Sequence, residues 1–244
     1  MKFLSIEQLE LLTSFLSGRE IGDYVLNGRI EAFSCKRAGE DKKLSKMLEA
    51  QYADELSQSP SLLGSSPLGP LSESTTRRLL IDLISTMNAS FPDHDFSSLR
   101  PEQFCKVFDV NQIITSVNKH LAPLTESYNS TFLDELWLNI DDVVKIQDCT
   151  VFSYLPDMED DPFSQGNQLW SFNYFLFNRS LKRIVYFTCI ATSKFDASSD
   201  HLGSGGGGGN DYDDEYDDND GRHMHGGDNE DMAEDFMGDW ECEA

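Results

Sequence analysis

Residues 169–189, LWSFNYFLFNRSLKRIVYFTC, place the strongest constraint on the fold. The first half alternates between two sets of side chains, which is the period of a β-strand. Both sets contain large apolar residues: Trp170, Phe172, Tyr174 and Leu176 in one, Ser171, Asn173, Phe175 and Phe177 in the other. NRS supplies a turn, and LKRIVYFTC returns as a second strand. Because a half-solvated strand would have a polar face, the segment predicts a hairpin inside a sheet that is covered on both sides.

Sequences with the apolar period of amphipathic helices surround this hairpin along the chain. The period predicts helices over residues 5–17 and 40–56, and a third helix that begins near Leu79 and stops at FPDHDF. Two more helices are predicted by apolar stripes from Val110 to Leu121 and from Phe132 to Val144. Two further runs, residues 23–36 and 151–154, have strand-like patterns. The helices are available to cover the strands, so the sequence predicts an α/β (α+β) fold with a helix-covered β-sheet.

The distribution of charge divides the chain into two parts. The whole sequence has 43 Asp or Glu against 19 Lys or Arg, a formal net charge of −24. Residues 203–244 hold 15 of the acids and one base, a net of −14, which leaves −10 for residues 1–202. A Gly run followed by acids cannot bury enough apolar surface to offset chain entropy. We therefore expect one globular domain, 1–202, and a disordered Gly-rich and acidic tail, 203–244.

Residues 57–73, SQSPSLLGSSPLGPLSE, form a Ser- and Pro-rich stretch within the domain. This composition is typical of a mobile linker or a long surface loop. Ser59 and Ser66 each precede a proline, so a proline-directed kinase could modify them. A phosphate there would add about two negative charges that a partner could detect.

The cysteines and the N-terminus bear on the cellular compartment. The five cysteines form no CxxC pair and no zinc-type spacing, which favours reduced thiols in the cytosol or nucleus. The N-terminal MKFLSIEQLELL has acids from Glu7 onward and does not resemble a signal peptide. No stretch approaches the ~18 consecutive apolar residues of a membrane helix, so we expect no membrane partner.

The aromatic hairpin allows an alternative function as a sheet that stacks single-stranded nucleic acid beside Arg179, Lys182 and Arg183. Such sheets normally lie in a basic field, whereas the body of this chain carries −10. We therefore favour aromatic rings that pack in the core and no direct nucleic-acid binding. The three cations then become candidates for contact with an acidic protein partner.

Other clusters of polar residues do not reach the pattern of an active site or a metal site. Asp93, His94 and Asp95 in FPDHDF suit turn and capping positions, and no second cluster is tied to them by a recognisable spacing. The acids of PDMEDDPF, residues 156–163, lack the Gly and terminal Glu of a calcium loop. His223 and His225 lie in a Gly-rich stretch typical of solvated residues. We expect no enzyme activity, no cofactor and no metal.

Three segments together resemble the Maf-type repressors of RNA polymerase III. They are NGRIEAFSCKRAGEDKKLSK (27–46), FPDHDFSSL (91–99) and YLPDMEDDPFSQGNQLWSFNYFLFNRSLKRIVYF (154–187), which match the three sequence blocks of that family in order and position. The resemblance spans about 200 residues. It implies a single domain with a central antiparallel sheet covered by helices, and it places phosphorylation candidates at Ser59, Ser66 and Ser72.

The resemblance also implies a function. It predicts a non-enzymatic negative regulator of transfer-RNA and 5S ribosomal-RNA synthesis, which binds RNA polymerase III near its clamp and interferes with the TFIIB-related initiation factor and the promoter. Nutrient-signalling kinases and phosphatases would control it as it moves between nucleus and cytoplasm, and we expect a monomer. The candidate partner-binding residues are Asp93, Asp95, Arg179, Lys182 and Arg183 in the body, and Phe236 and Trp240 in the tail.

Overall fold

The predicted hairpin lies inside an antiparallel sheet in the computed structural model, which describes residues 1–36, 39–58, 66–156, 161–164 and 167–195. Within these residues the strands are β1 (Lys2–Leu4), β2 (Arg19–Ile21), β3 (Tyr24–Ser34), β4 (Phe104–Val107), β5 (Thr150–Tyr154), β6 (Gln168–Asn178) and β7 (Arg183–Ser193). The helices are α1 (Glu7–Leu16), α2 (Glu40–Gln58), α3 (Ser74–Ser90), α4 (Val110–Ser127) and α5 (Phe132–Val144). Two 3-10 turns, Pro101–Gln103 and Ile146–Asp148, precede β4 and β5.

The sheet has the order β1-β3-β7-β6-β5-β4, with β2 also paired to β3, and every pair is antiparallel. β3 and β7 pair along their whole length, from Tyr24 opposite Ser193 to Ser34 opposite Arg183. The β6–β7 hairpin therefore has a strand on each side. This confirms the central position that its two apolar faces predict.

Helix α1 covers the middle of the outer edge of β3, which pairs with neither β1 nor β2. The Thr13 hydroxyl accepts a hydrogen bond from the Ile30 N–H at 2.9 Å and is 3.2 Å from the Ile30 carbonyl, to which it donates. The Gly18 N–H donates to Asn27 Oδ1 at 2.9 Å. An open strand edge attracts other strands, so these bonds protect a position that would otherwise invite edge pairing.

One face of the sheet packs against α1, α4 and α5. The core there joins alternate side chains of β6, including Phe172 and Tyr174, to the apolar stripes of the three helices. The stripes are Leu9, Leu12 and Leu16 of α1, Ile113, Val117, Leu121 and Leu124 of α4, and Phe132, Leu136, Ile140 and Val143 of α5. Phe172 and Tyr174 are 6% and 5% exposed, and Trp170 is half-buried against Tyr24 and His120. The prediction that these rings lie in the interior is confirmed for Phe172 and Tyr174, whereas Trp170 is covered only in part.

The opposite face packs against α2 and α3. Phe175, Ile184 and Tyr186 point to this side and meet Leu80, Ile84 and Met87 of α3. Tyr186 stacks on Phe175 with ring centroids 4.6 Å apart, and its hydroxyl donates to Asn173 Oδ1 at 2.8 Å. The predicted arrangement of a helix-covered sheet is confirmed, with helices on both faces.

The Ser- and Pro-rich stretch differs from the expected linker at both ends. Helix α2 continues to Gln58, and residues 66–73 form turns that fix two leucines in the core, Leu68 and Leu71. Nη1 of Arg77 donates to the carbonyls of Leu71 and Ser72, at 2.6 and 2.8 Å. The two buried leucines thus anchor the C-terminal part of this stretch in the core. Residues 59–65 lie outside the described residues.

Met1–Phe195 form one compact unit, and the residues of the acidic tail lie outside the described residues. The free thiols expected at Cys35, Cys149 and Cys189 are confirmed. Among the described residues, no helix is both long enough and apolar enough to cross a bilayer.

Candidate interaction surface

The hairpin turn between β6 and β7 is fixed by Asn178. Its side-chain Oδ1 accepts from the Leu181 N–H at 2.9 Å, and its Nδ2 donates to the Val144 carbonyl at 2.8 Å. Lys182 completes the turn with a positive φ of 51°. The turn is therefore fastened to the C-terminal end of α5 rather than free in solvent.

The three cations of the turn have different roles. Arg183 is half-buried, and its Nη1 donates to the Val143 carbonyl at 2.5 Å, where α5 leaves carbonyls without helical partners. Arg179 and Lys182 are exposed. Arg183 therefore stabilises the fold, whereas Arg179 and Lys182 lie at the surface.

Two further cations join them through the strand register. Lys2 pairs with Ser34, and Ser34 pairs with Arg183. The Cys35 N–H donates to the Lys182 carbonyl at 2.9 Å, so Lys36 follows immediately beside the turn. We call the four exposed cations at this end of the sheet the basic end: Lys2, Lys36, Arg179 and Lys182. Nothing in the sequence near Lys2 and Lys36 signals this site, because only strand pairing brings them to the hairpin.

The FPDHDF segment closes the C-terminal end of α3. The Phe91 ring packs edge-on to Phe163 at a centroid distance of 5.3 Å and lies 4.2 Å from the guanidinium carbon of Arg29. Asp95 Oδ1 accepts from the Ser97 N–H at 2.9 Å, and hydrogen bonds from the Ser97 hydroxyl and N–H lower the pKa of Asp95. The segment is a structural turn that leaves Asp93 and Asp95 exposed.

The acidic loop after β5 contains one carboxylate that is not on the surface. Asp161 is 5% exposed, accepts from the Tyr154 hydroxyl through Oδ2, and accepts from the Phe163 N–H at 2.9 Å through Oδ1. Burial raises the pKa of Asp161 above its ordinary value of 3.8. Asp161 thus pins Phe163 beside Phe91, which links the second and third segments of the sequence resemblance.

The exposed aspartates and the basic end lie at different positions along the strands of the sheet. Arg29, which holds the start of the FPDHDF turn, pairs with Thr188, five residues beyond Arg183 on β7. Five residues of strand span about 16 Å. The structure therefore does not unite the five candidate contact residues of the body into one cluster.

The candidate phosphorylation sites and the tail anchors fall in three different settings. Ser66 is half-buried, its hydroxyl donates to the Gly69 carbonyl at 2.6 Å, and its carbonyl accepts from the Gly69 N–H at 2.9 Å. Ser72 is exposed. Ser59, Phe236 and Trp240 lie outside the described residues.

Two of the cavities at the surface of the described residues are relevant to a small-molecule site. One, of about 230 Å³, is lined by Arg29, Phe91 and Thr188, among others. The other, of about 290 Å³, lies between α1 and α5 and includes Leu11 and Glu135. Each is lined by a single ionisable side chain, so neither assembles an acid and a base. In the part of the chain that the structure describes, no three His, Cys, Asp or Glu side chains are placed to share a metal ion.

The rings of the hairpin cannot form a stacking platform. Phe172, Tyr174 and Phe175 are covered by helices, so bases of a nucleic acid could not reach their faces. The sheet surface that the alternative function requires is therefore not available. A partner could therefore contact only the outer surface, which includes the charged turns and the cavity between α1 and α5.

Comparison with known proteins agrees with the sequence resemblance. The model of the Maf1 regulator family matches residues 26–188. A Dictyostelium discoideum protein named repressor of RNA polymerase III transcription is 33% identical over 246 residues, covering 82% of this chain and 88% of the relative. A Schizosaccharomyces pombe protein named repressor of RNA polymerase III transcription maf1 is 36% identical over 195 residues, covering 76% of this chain and 81% of the relative.

A solved structure extends the similarity to the fold. The crystal structure of citrus MAF1 superposes with a TM-score of 0.60 at 32% identity, covering 76% of this chain and 99% of that one. The family model, which matches residues 26–188, spans helices α2 to α5, the FPDHDF turn and the hairpin turn between β6 and β7, whereas β1, α1 and β2 precede the matched residues. The relatives are named as regulators and repressors rather than enzymes. The chain belongs to the Maf1 regulator family.

Proposed function

We propose that this protein is a repressor of RNA polymerase III transcription that acts by binding the polymerase. The observation that carries the proposal is family membership over most of the chain, with two relatives of that name matched over 88% and 81% of their own length. A rigid sheet covered by helices on both faces suits a role that needs surface complementarity rather than an active site. The protein then acts without a cofactor and without catalysis.

The step that it blocks is initiation. We propose that it docks near the polymerase clamp and prevents engagement with the TFIIB-related initiation factor and the promoter, at transfer-RNA and 5S ribosomal-RNA genes. Arg179 and Lys182 support this role because they are exposed on a fastened turn, so little order is lost when a partner meets them. Asp93 and Asp95 would contact a different part of the partner, because they lie at another level of the sheet.

The acidic tail is the second proposed contact with the polymerase. Its net charge of −14 would attract basic, nucleic-acid-binding surfaces over long range. Phe236 and Trp240 would then supply apolar anchors among the acids. Lowered affinity and a weaker salt dependence after neutralisation of the tail acids would support this contact, whereas unchanged values would remove it.

Control by phosphorylation is proposed at the Ser- and Pro-rich stretch. The Ser66 hydroxyl is engaged with Gly69, so a kinase must open that turn, and a phosphate would then prevent its return. Added negative charge near the body would oppose contact with an acidic partner. We propose that the unmodified protein represses in the nucleus as a monomer, and that the modified protein stays in the cytoplasm.

A binding measurement tests the role of the hairpin turn. The double variant Arg179→Glu, Lys182→Glu should weaken binding to purified RNA polymerase III by about tenfold, mainly through slower association. Lys119→Glu, which changes an exposed cation on α4, is the matched control and should bind nearly as wild type. Because Lys119→Glu changes half as much charge as the double variant, a loss of binding free energy half that of the double variant or more would indicate a general charge effect and would contradict a specific contact at the turn.

A further inference from the structure

Helices α1 and α5 enclose a groove that no part of the proposed function uses. Its floor is formed by Leu12 and Phe132, which are buried, and by Phe15, whose ring stacks on Phe132 with centroids 4.5 Å apart. The cavity above this floor has a volume of about 290 Å³. It has room for one large apolar side chain from a partner.

The rim of the groove combines one exposed apolar residue with polar ones. Leu11 of α1 is 65% exposed and lines the cavity, so its apolar side chain lies beside the buried floor of the groove. The other rim residues are Gln8, Asn129, Glu135 and Asn139. An apolar side chain on the partner would cover Leu11 and remove it from water.

The two helices that form the groove carry charge of one sign. The two helices carry six acids and no Lys or Arg: Glu7 and Glu10 in α1, and Asp134, Glu135, Asp141 and Asp142 in α5. At one end, Arg19 is turned inward, with its Nε 2.5 Å from the Phe15 carbonyl and its guanidinium over the Phe15 ring. Lys145 lies beyond the C-terminal end of α5 and pairs there with Asp141 and Asp142. The middle of the groove, around Leu11 and Glu135, keeps its negative field.

We infer that the groove binds a basic amphipathic helix of a partner protein. A groove between two helices fits a third helix laid along it, with an apolar residue in the cavity beside Leu11. Lys or Arg on the flanks of that helix would meet Glu135 and Glu7, and this complementarity selects against acidic or neutral helices. From Gln8 to Phe15 the groove spans about 10 Å, or two turns of a bound helix. This docking face is independent of the basic end and of the polymerase assignment.

A peptide experiment on the full-length protein tests the inference. The probe is a labelled 18-residue amphipathic helix with Leu on one face and Lys on its flanks, and its partner probe has Glu in place of each Lys. Fluorescence anisotropy in 150 mM salt should show that the basic helix binds at least about tenfold more tightly than the acidic one. Equal affinities would overturn the inference.

A matched pair of variants places the binding on the groove. Leu11→Gln should lower the affinity for the basic helix by about tenfold, because the apolar contact is lost. Leu138→Gln changes an equally exposed leucine of α5 that does not line the cavity and should bind as wild type. Because Leu11 is at the surface, the variant should fold, and its melting temperature verifies this. Binding that Leu11→Gln leaves unchanged would place the peptide on other acidic segments of the chain and would overturn the inference.

Discussion

The guanidinium of Arg183 and the main-chain carbonyl of Val143 form a 2.5 Å hydrogen bond that joins the central hairpin to the end of α5. Asn178 makes a second bond to the same helix end, at the Val144 carbonyl. Together they satisfy carbonyls that have no partner inside the helix. Of the three cations of the hairpin, Arg183 therefore stabilises the fold, whereas Arg179 and Lys182 lie on its surface.

Replacement of Arg183 should affect stability, and replacement of Arg179 should not. Arg183→Gln removes a charged donor from a half-buried site, so the free energy of unfolding should fall by about 1–3 kcal/mol. Arg179→Gln changes an exposed side chain and should stay within about 0.5 kcal/mol of wild type. Urea unfolding followed by circular dichroism measures both. Equal stability of the two variants would contradict the assigned role of Arg183.

Asp161 should make stability depend on pH in a direction set by its burial. Since burial raises its pKa in the folded state above the 3.8 of the exposed group, its contribution is fully present below about pH 3.8 and is lost as pH rises through the folded pKa. Asp161→Asn removes this titration and keeps groups that can bond Phe163 and Tyr154. The variant should therefore gain stability relative to wild type between about pH 3 and pH 7.

Asp161→Ala is the matched comparison. It leaves the buried Tyr154 hydroxyl and the Phe163 N–H without an acceptor, so it should lose about 1–3 kcal/mol at all pH values. Urea midpoints of the three proteins across the pH range provide the measurement. A stability difference between Asp161→Asn and wild type that does not change with pH would show that Asp161 does not titrate between the two states as proposed.

The serines of the Ser- and Pro-rich stretch should control repression. With both Ser59 and Ser66 changed to Ala, transfer-RNA synthesis should remain repressed in well-fed cells, because neither site can receive a phosphate. Ser130→Ala, at an exposed serine between α4 and α5, is the control and should respond to nutrients as wild type. Precursor transfer-RNA levels report the outcome. A normal nutrient response of the double variant would place the switch elsewhere.

The sequence predicted those parts of the fold in which side chains repeat over many residues. The alternation of β6 and the stripes of α4 and α5 each extend over 10 residues or more, so their periods are clear. Strands β1 and β2 have three residues each and were missed, because a period cannot be read from so few positions. Helix α4 also runs past Pro123 to Ser127, beyond the residue 121 at which its apolar stripe was expected to end.

The candidate surface was predictable only in part, because its pieces meet through tertiary contacts. The exposure of Arg179 and Lys182 follows from their place in a turn. The role of Arg183 depends on a carbonyl 40 residues away, and Lys2 and Lys36 join the turn only through strand pairing. Asp161 looked like its acidic neighbours in the sequence, and nothing local signals the Tyr154 hydroxyl that holds it in the core.

Reconstituted transcription of a transfer-RNA gene by purified RNA polymerase III and its initiation factors tests the account most directly. Addition of the unphosphorylated protein before the initiation factor should suppress transcript formation in proportion to its concentration, while a template transcribed by RNA polymerase II should be unaffected. Undiminished transcription of the transfer-RNA gene at saturating protein would contradict the assignment as a polymerase III repressor.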